Sequence, residues 1–443
     1  MRVVIVGAGE VGSNVAASLA DSHEVVVIDL DSDRVEALTY SLDVLPVEGD
    51  GSSLETLREA GVDEADMVIA CTDDDETNIV TCGTVQTVSE AFTIARVRTT
   101  KFLDTWEQSE GALGVDLMVG TNLLAAQSIV RVIGLPAAED VDRFADGLVQ
   151  MAEFPIDDES PVTGKSVAEA DTFDSLTFAA IIRDDEVVIP DGETCLLDGD
   201  DLVVIGSPES VSGFATTIAP GVDGVSDVMV FGGSDIGYET AQLLGRKGLH
   251  SRIVEPDPEH ARFLAEKLPD VTVLQNDPTD REFLQREHIA DVDVAIASLD
   301  SDEQNLLTAL LAKRLGADRA IAIVEDGDYA DLFEAVGVDV AVNPREAIAE
   351  EITRFTREKH AENVALIEDD RAEVLEVEVD AESVLVDRPI RESIADLPDG
   401  VVIGAITRDG AFVVPRGDTI IREDDHIVVF ASTAIVEEAM QLI

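Results

Sequence analysis

The chain has 443 residues, of which 93 are Asp or Glu and only 30 are Lys or Arg, so its formal net charge is −63. Such a charge opposes direct binding to nucleic acid or to anionic lipid. A hydrophobic content of 45% argues against a disordered polyelectrolyte. We interpret the composition as a folded halophile protein with a carboxylate-covered surface, because about 1 M salt shortens the Debye length to roughly 3 Å.

The start of the chain carries no secretion-signal pattern, since strand-like residues begin at Arg2. No apolar run reaches the roughly 18 residues that a membrane-spanning helix needs. We therefore expect a cytoplasmic protein. Three scattered cysteines, Cys71, Cys82 and Cys195, predict buried and reduced side chains, with neither a disulfide framework nor a zinc site.

The first 135 residues alternate strand-like and helix-like segments. An apolar strand at Val3–Val6 leads through a glycine-rich turn to a helix at Val11–Leu19 and a strand at Glu24–Ile28. The pattern continues with strands at 44–47, 67–70, 93–97 and 116–119, a helix at 53–60 and a last helix at 122–133. This alternation specifies a Rossmann-like α/β domain with a doubly wound parallel sheet and right-handed crossovers.

Residues 140–218 follow a different rhythm. The segment Leu148–Ile156 alternates like a half-exposed strand, and a short helix follows near Ser166–Glu169. Further strands are predicted at 176–182, 186–189 and 201–205, with a hairpin turn at Asp184-Asp185. These features predict a small α+β domain without catalytic residues.

The second half of the chain repeats this plan after a linker at 219–226. Cys71–Asn78 matches Ser298–Asn305, and the segment from Arg183 to Val204 matches the segment from Arg408 to Val429. A repeat of this length indicates tandem domains. We predict four domains, Rossmann-like at 1–135 and 227–361 and α+β at 140–218 and 365–443.

The first glycine-rich turn has the spacing of a dinucleotide-binding motif. Gly7 permits the tight turn, Gly9 leaves room for a pyrophosphate, and Gly12 lets the helix pack closely on the sheet. Asp29, at the end of the next strand, is placed to accept hydrogen bonds from the adenosine ribose hydroxyls, which favours NAD(H) over a 2′-phosphorylated cofactor. We predict a nucleotide site here.

The second copy departs from that motif. Ser234 replaces the middle glycine, Glu255 preserves the acid, and Ile323 stands where the first copy has Arg96. A nucleotide site and a structural relic are both compatible with this sequence.

Two further groups follow strands of the first domain. Thr72-Asp73 lies at the carboxyl end of the fourth strand, beside the point where ligands sit in such sheets. The acidic run Asp73–Glu76 is compatible with a metal cluster, but we interpret it as a helix-capping, solvated stretch and predict no metal site. Arg96 would either neutralise a phosphate or pair with a carboxylate.

A hydride-transfer enzyme needs a general acid or base near the nicotinamide. The first domain has only His23, Tyr40 and Lys101 as candidates, and all three are poorly placed. We predict no catalytic residues and expect the nucleotide to act as a signal. An NAD-dependent oxidoreductase and a stand-alone soluble nucleotide sensor remain the alternatives.

The chain resembles the regulatory subunit of Trk-type potassium uptake systems, the TrkA family, which carries two RCK (regulator of potassium conductance) units in one chain. The resemblance spans essentially the whole length and includes the two trailing α+β domains. It rests on four motifs, at Gly7–Gly12, Glu48–Gly51, Ala70–Asn78 and Ile94–Arg96.

The resemblance implies a cytoplasmic homo-oligomeric ring, held at the inner face of the membrane by a potassium transporter subunit whose activity it regulates. It implies binding of NAD(H), with ATP or ADP as further candidates. In the first copy the implied contacts are Gly7, Ala8, Gly9, Glu10, Val11, Gly12, Asp29, Asp50, Thr72, Asp73 and Arg96. In the second copy they are Gly232, Gly233, Ser234, Asp235, Ile236, Glu255, Leu299 and Asp300.

Overall fold

The computed structural model describes residues 1–20, 23–109, 112–135, 137–158, 160–183, 186–219, 224–357, 363–367, 372–381 and 383–443. The turn predicted at Asp184-Asp185 and the middle of the predicted linker lie outside these residues. None of the helices in the described ranges is both long enough and apolar enough to cross a membrane.

Residues 1–130, the first Rossmann domain, form a parallel sheet whose strands are covered on both faces. Val3, Val4 and Ile5 have no exposed surface, which explains why the first strand is a continuous apolar run. The strands are β1 (Arg2–Val6), β2 (Glu24–Asp29), β3 (Val44–Glu48), β4 (Met67–Ala70), β5 (Phe92–Val97) and β6 (Leu117–Gly120). Their order, β3-β2-β1-β4-β5-β6, reverses between β1 and β4, as in doubly wound dinucleotide-binding folds.

Each helix of this domain except the last joins two successive parallel strands, and the last follows β6. The helices are α1 (Glu10–Ala20), α2 (Ser32–Ser41), α3 (Leu54–Glu59), α4 (Asp75–Val85), α5 (Thr100–Gln108) and α6 (Thr121–Ile133). The helix α1 directly follows the glycine-rich turn, so its amino end lies at the carboxyl edge of the sheet.

The next segment forms an antiparallel sheet of order β10-β9-β11-β8-β7. Its elements are β7 (Asp140–Phe144), β8 (Val149–Ile156), α7 (Val167–Ala170), β9 (Leu176–Arg183), β10 (Glu186–Val188), β11 (Asp200–Gly206) and α8 (Pro208–Ile218). The sequence reading missed β7, which carries three charged residues. It was also wrong about β8, which is buried everywhere except Pro155 because an apolar core covers each of its faces.

Residues 226–353, the second Rossmann domain, repeat the first with the strand order β14-β13-β12-β15-β16-β17. Its strands are β12 (Asp227–Phe231), β13 (His250–Glu255), β14 (Thr272–Gln275), β15 (Val294–Ala297), β16 (Arg319–Ile323) and β17 (Val340–Val342). Its helices are α9 (Asp235–Arg246), α10 (Pro258–Lys267), α11 (Arg281–Arg286), α12 (Asp302–Leu315), α13 (Ala330–Ala335) and α14 (Pro344–Arg357).

The last segment is a second antiparallel sheet, of order β18-β19-β22-β20-β21. It contains β18 (Asn363–Ile367), β19 (Ala372–Glu378), α15 (Ile390–Ser393), β20 (Val402–Arg408), β21 (Ala411–Val413), β22 (His426–Ser432) and α16 (Val436–Met440). Two parallel and two antiparallel sheets in tandem confirm the predicted fold class.

The four domains form two compact units, and each unit pairs the two copies of one kind. One unit joins residues 1–130 with 226–353, and the other joins 131–225 with 354–443. Within the second unit the two antiparallel sheets share an apolar core, in which Phe144 and Ile205 belong to one copy and Phe430 to the other. The Thr177 hydroxyl also donates to the Gly404 carbonyl across this pair, at 2.9 Å.

The cysteines differ from the prediction in one case. Cys71 and Cys82 are buried, and burial raises the pKa of each thiol to about 12. Cys195 is exposed, so the expectation of three buried cysteines was wrong. It lies in the segment that joins β10 to β11, outside the strands of the sheet.

Candidate nucleotide-binding site

The carboxyl ends of β1, β2, β4 and β5 frame a cavity of about 440 Å³ in the first Rossmann domain. It lies where the strand order reverses, which is the ordinary ligand position in an open parallel sheet. Ten of the eleven residues predicted for the first copy line it: Gly7, Ala8, Gly9, Glu10, Val11, Asp29, Asp50, Thr72, Asp73 and Arg96.

The remaining residue, Gly12, supports the turn from behind. A Cβ on Gly12 would lie 1.8 Å from the Gly7 carbonyl oxygen, so only glycine allows α1 to approach the turn this closely. Gly7 itself has a φ of 112°, in the region that favours glycine. A Cβ on Gly9 would approach nothing nearer than Arg34, at 3.8 Å, so this face of the turn is open to the cavity.

Asp29 holds the glycine-rich turn in place through its carboxylate. One oxygen accepts from the Ala8 amide at 2.6 Å, and the other accepts from the Asp31 amide at 2.8 Å. The sequence reading assigned Asp29 only to the ribose and missed this structural role. Each carboxylate oxygen can accept a further bond, so the ribose contact stays a prediction.

Asn78 fixes the loop that carries Thr72 and Asp73, and the sequence reading gave it no role. Its side-chain oxygen accepts from the Thr72 amide at 2.9 Å and from the Thr72 hydroxyl at 2.7 Å. Its amide group donates to the Thr72 and Arg96 carbonyls, each at 2.9 Å. A fully buried asparagine therefore ties the end of β4 to the end of β5, which gives a physical reason for the motif that ends at Asn78.

The acidic run before Asn78 acts mainly through backbone contacts. Asp74 caps α4 by accepting from the Thr77 amide at 2.7 Å, which confirms the capping interpretation. Asp75 is buried, so the expectation of a solvated stretch was wrong for this residue, and it accepts from the backbone amides of Arg98 and Thr99 at 2.9 and 3.0 Å. The described residues contain no group of three or more His, Cys, Asp or Glu side chains arranged to hold a metal ion.

Arg96 is the buried cation of the cavity. Its side chain is 3% exposed, and it pairs with Asp73 at 3.3 Å, so one of its two predicted alternatives is present. Burial lowers the pKa of Arg96, with a further contribution from Arg98, while Asp73 opposes the shift. Its Nη2 is buried and has no hydrogen-bond partner among the described residues. The phosphate contact of Arg96 remains a prediction.

Two further arginines line the cavity and were missed from the sequence. Arg34 comes from the first turn of α2. Arg345 comes from α14 of the second Rossmann domain and pairs with Glu10 at 2.7 Å. No signal in the first half of the chain could indicate Arg345, because a domain-by-domain reading does not show which surfaces of the two copies meet.

The second copy repeats the contacts of the acidic residue with the glycine-rich turn, but a side chain occupies the amino end of its helix. Glu255 accepts from the Gly233 and Asp257 amides at 2.9 and 2.8 Å, as Asp29 does in the first copy. Ser234 caps α9, and its hydroxyl accepts from the Gly237 amide at 3.2 Å. Ser234 thus takes up one of the helix amides that a phosphate would use.

His260 also contacts the second glycine-rich turn, since its Nε2 lies 2.7 Å from the Gly233 carbonyl oxygen. His260 follows its helix cap, Asp257, by three residues, just as Arg34 follows Asp31. Leu299 is fixed by Asn305, and the Asn305 amide donates to the Ile323 carbonyl at 2.9 Å, which repeats the Asn78 contacts. The other predicted residues, Gly232, Asp235, Ile236 and Asp300, lie on the turn, at the start of α9 and after β15.

The fold defines a protein of two tandem Rossmann domains, each followed by an α+β domain. The TrkA-N domain family matches residues 3–120 and 228–344, and the TrkA-C domain family matches residues 151–218 and 374–443. The chain belongs to the TrkA family of Trk system potassium uptake proteins.

Several relatives match along their full length. A Trk system potassium uptake protein TrkA homolog from Archaeoglobus fulgidus is 36% identical, and the match covers 100% of both chains. TrkA homolog 1 from Methanosarcina mazei is 35% identical over 99% of each chain. TrkA from Azorhizobium caulinodans is 32% identical over 100% of this chain and 98% of its own.

Solved structures match the fold at lower identity. The GsuK channel bound to NAD has a TM-score of 0.61 at 19% identity, and the match covers 100% of this chain and 78% of that one. The GsuK RCK domain has the same TM-score and identity and covers 99% of this chain and 95% of its own. These two matches support the fold.

Proposed function

We propose that this protein is the cytoplasmic regulatory subunit of a Trk-type potassium uptake system and that NAD(H) binds in its first Rossmann domain. The observation that carries the proposal is the cavity that the open glycine-rich turn, Asp29 and Arg96 line together. These groups match the phosphate and ribose of a nucleotide.

The potassium-transport role is supported by the family. Relatives named as Trk system potassium uptake proteins match this chain over essentially all of both sequences. The GsuK channel, which shares the fold, was solved bound to NAD. On this basis we assign the protein to the inner face of the membrane, in a homo-oligomeric ring bound to a membrane potassium transporter. NAD(H) is the expected ligand, with ATP and ADP as its competitors.

The residues that line the cavity favour a nucleotide that acts as a signal over one that takes part in a reaction. The described lining contains no His, Lys or Tyr that would serve as an acid or base beside a nicotinamide. Cys71 lies against the glycine-rich turn, but its raised pKa of about 12 keeps it protonated and therefore unreactive. A nucleotide here would act by binding one state of the ring better than another, since a ligand shifts an equilibrium only by its difference in affinity.

Calorimetric titration of NADH, NAD, ADP and ATP into the full chain at multimolar KCl tests the site. Asp29→Asn keeps one side-chain oxygen, which can accept from the Ala8 or the Asp31 amide but not from both, and it removes the charge that favours the ribose hydroxyls. We expect it to weaken NADH binding by about 10-fold or more. Glu255→Gln makes the same change in the second copy and should leave the first-copy affinity unchanged. Equal affinities in wild type and Asp29→Asn would remove Asp29 from the ligand contacts.

Two further measurements test the role. The protein should co-purify with a potassium transporter from detergent-solubilised membranes, and nucleotide should change rubidium uptake by membrane vesicles that hold both. Steady oxidation of NADH by a small-molecule substrate would instead establish the oxidoreductase alternative. A protein that binds NADH but never associates with membranes would establish the stand-alone sensor.

A further inference from the structure

Glu10 links the first Rossmann domain to the second at the rim of the cavity. It is the first residue of α1, directly after the glycine-rich turn. One carboxylate oxygen accepts from Arg345 Nη1 at 2.7 Å. The other accepts from Asn343 Nδ2 at 2.9 Å and from the Gly327 amide at 3.3 Å. One side chain of the first domain thus holds three groups of the second.

Arg345 lines the cavity in addition to its contact with Glu10. Its side chain is 28% exposed, its Nη2 lies 3.5 Å from Glu325, and its Nε is buried without a hydrogen-bond partner among the described residues. Burial opposes its charge, but the hydrogen bond that Arg345 donates to Glu10 and the neighbouring carboxylates raise the pKa of Arg345. The guanidinium is therefore a charged group with unused donor capacity at the edge of the site.

A nucleotide phosphate would meet Glu10 directly. The amino end of α1 favours an anion at the glycine-rich turn, and Glu10 already places a negative charge there. A phosphate at this position is repelled by the Glu10 carboxylate and attracted by the Arg345 guanidinium. Because both anions favour the same cation, they compete for it.

The same interface contains a second, equivalent contact, in which the partner of the carboxylate is uncharged. Asp235 begins α9 as Glu10 begins α1, and it contacts Asn122 Nδ2 of the first domain at 3.4 Å. Asn122 is the second residue of α6, and Arg345 is the second residue of α14. The pairs Glu10–Arg345 and Asp235–Asn122 are thus pseudo-symmetric, but only the pair beside the first cavity has a cation.

We propose that the Glu10–Arg345 pair is an interdomain latch and that a phosphate of the bound nucleotide opens it by taking Arg345 as its own ligand. Occupancy of the first cavity is then coupled to the contact between the two Rossmann domains, and the second domain supplies a phosphate-binding residue to the first. This inference rests on the proposed nucleotide site and adds the residue through which the site communicates.

Titration of the full chain with NADH, ADP and ATP at multimolar KCl measures the competition. Arg345→Gln should weaken NADH binding by about 10-fold, and Arg345→Lys should recover part of the loss. Glu10→Gln removes the competing anion and should tighten binding several-fold. In the Glu10→Gln, Arg345→Gln double variant the tightening should be smaller, because only the direct repulsion by Glu10 is then relieved. Thr100→Val, the control, removes a different hydrogen bond between the two Rossmann domains, from the Thr100 hydroxyl to Glu239 at 2.9 Å, and should leave the affinities unchanged.

Backbone amide hydrogen exchange in the segment 324–348 measures directly whether the Glu10 contacts open. Nucleotide should speed exchange there in wild type, because the Gly327 amide loses its Glu10 acceptor, and should change it little in the Arg345→Gln protein. NADH binding that is unaffected by both single substitutions overturns the latch but leaves the proposed function standing. Absence of binding for all three nucleotides by folded wild type overturns both. If Arg345→Gln does not fold, Arg345→Lys and Glu10→Gln carry the same comparison.

Discussion

Asn78 and Asn305 offer a matched pair of substitutions that separates folding from ligand binding. Asn78→Ala removes four hydrogen bonds, to the Thr72 amide, hydroxyl and carbonyl and to the Arg96 carbonyl. A typical net bond contributes about 1 kcal/mol, and buried partners left unsatisfied cost more. We expect the first Rossmann domain to lose about 2–4 kcal/mol of its free energy of unfolding.

The assay follows from the position of the single tryptophan. Trp106 lies in α5 of the first Rossmann domain, where its indole donates to the Val115 carbonyl at 2.8 Å. Its fluorescence during urea unfolding at multimolar KCl therefore reports on that domain. With an m-value of about 2 kcal/mol/M, the loss corresponds to a midpoint lower by about 1–2 M. Asn305→Ala should lower the far-ultraviolet circular dichroism midpoint of the second domain and leave NADH affinity unchanged.

The pair also gives the result that would refute the reasoning. Asn78→Ala should weaken NADH binding as well as folding, because the Thr72 loop and the Arg96 backbone lose their common support. A Trp106 midpoint that is unchanged in Asn78→Ala would show that the four bonds contribute no net stability. Equal losses of NADH affinity in Asn78→Ala and Asn305→Ala would contradict the assignment of the site to the first domain.

Two predictions concern solution conditions. Lowering KCl from molar to about 0.1 M lengthens the screening distance from roughly 3 to 10 Å, so circular dichroism should show loss of structure or assembly, and an unchanged thermal midpoint would contradict the halophile interpretation. Burial, reinforced by Asp142, raises the pKa of Asp140 to about 6, so the stability that its protonated form gives is complete below about pH 4 and is lost as pH rises through 6. Asp140→Asn should therefore raise the urea midpoint at pH 7 and flatten its fall between pH 4 and 6. A parallel pH profile in the variant would count against this assignment.

Periodicity and the repeat predicted most of the fold, because each parallel strand needs its own apolar run and each crossover its helix. The prediction was weaker for the antiparallel sheets. The strand β7 was missed because charged residues interrupt its apolar pattern, and β8 was misjudged because burial of its outer face depends on the other copy. Packing between copies 225 or so residues apart leaves no local periodic signal.

The candidate site shows the same limit at the level of single residues. The glycine motif, Asp29 and Arg96 were found because local spacing places them at strand ends. Asn78 belongs to one of the family motifs, but its role depends on hydrogen bonds to residues at the ends of two different strands. Arg345 was missed because it reaches the cavity from a domain that begins more than 200 residues later.

Comparison of the two copies separates residues that shape the frame from residues that face the ligand. The frame residues keep their chemistry in the pairs Asn78/Asn305, Asp75/Asp302, Asp29/Glu255 and Gly7/Gly232. The positions at the cavity change instead, in the pairs Gly9/Ser234, Arg34/His260, Arg96/Ile323 and Arg345/Asn122. Three of these four changes replace a guanidinium. The fourth introduces the Ser234 hydroxyl, which accepts a hydrogen bond from an amide at the start of the helix. An anionic ligand gains from cations and free amides, so we expect the first copy to be the dominant nucleotide site. Under the latch proposal, the second copy contributes through the surface that carries Arg345 to the first cavity.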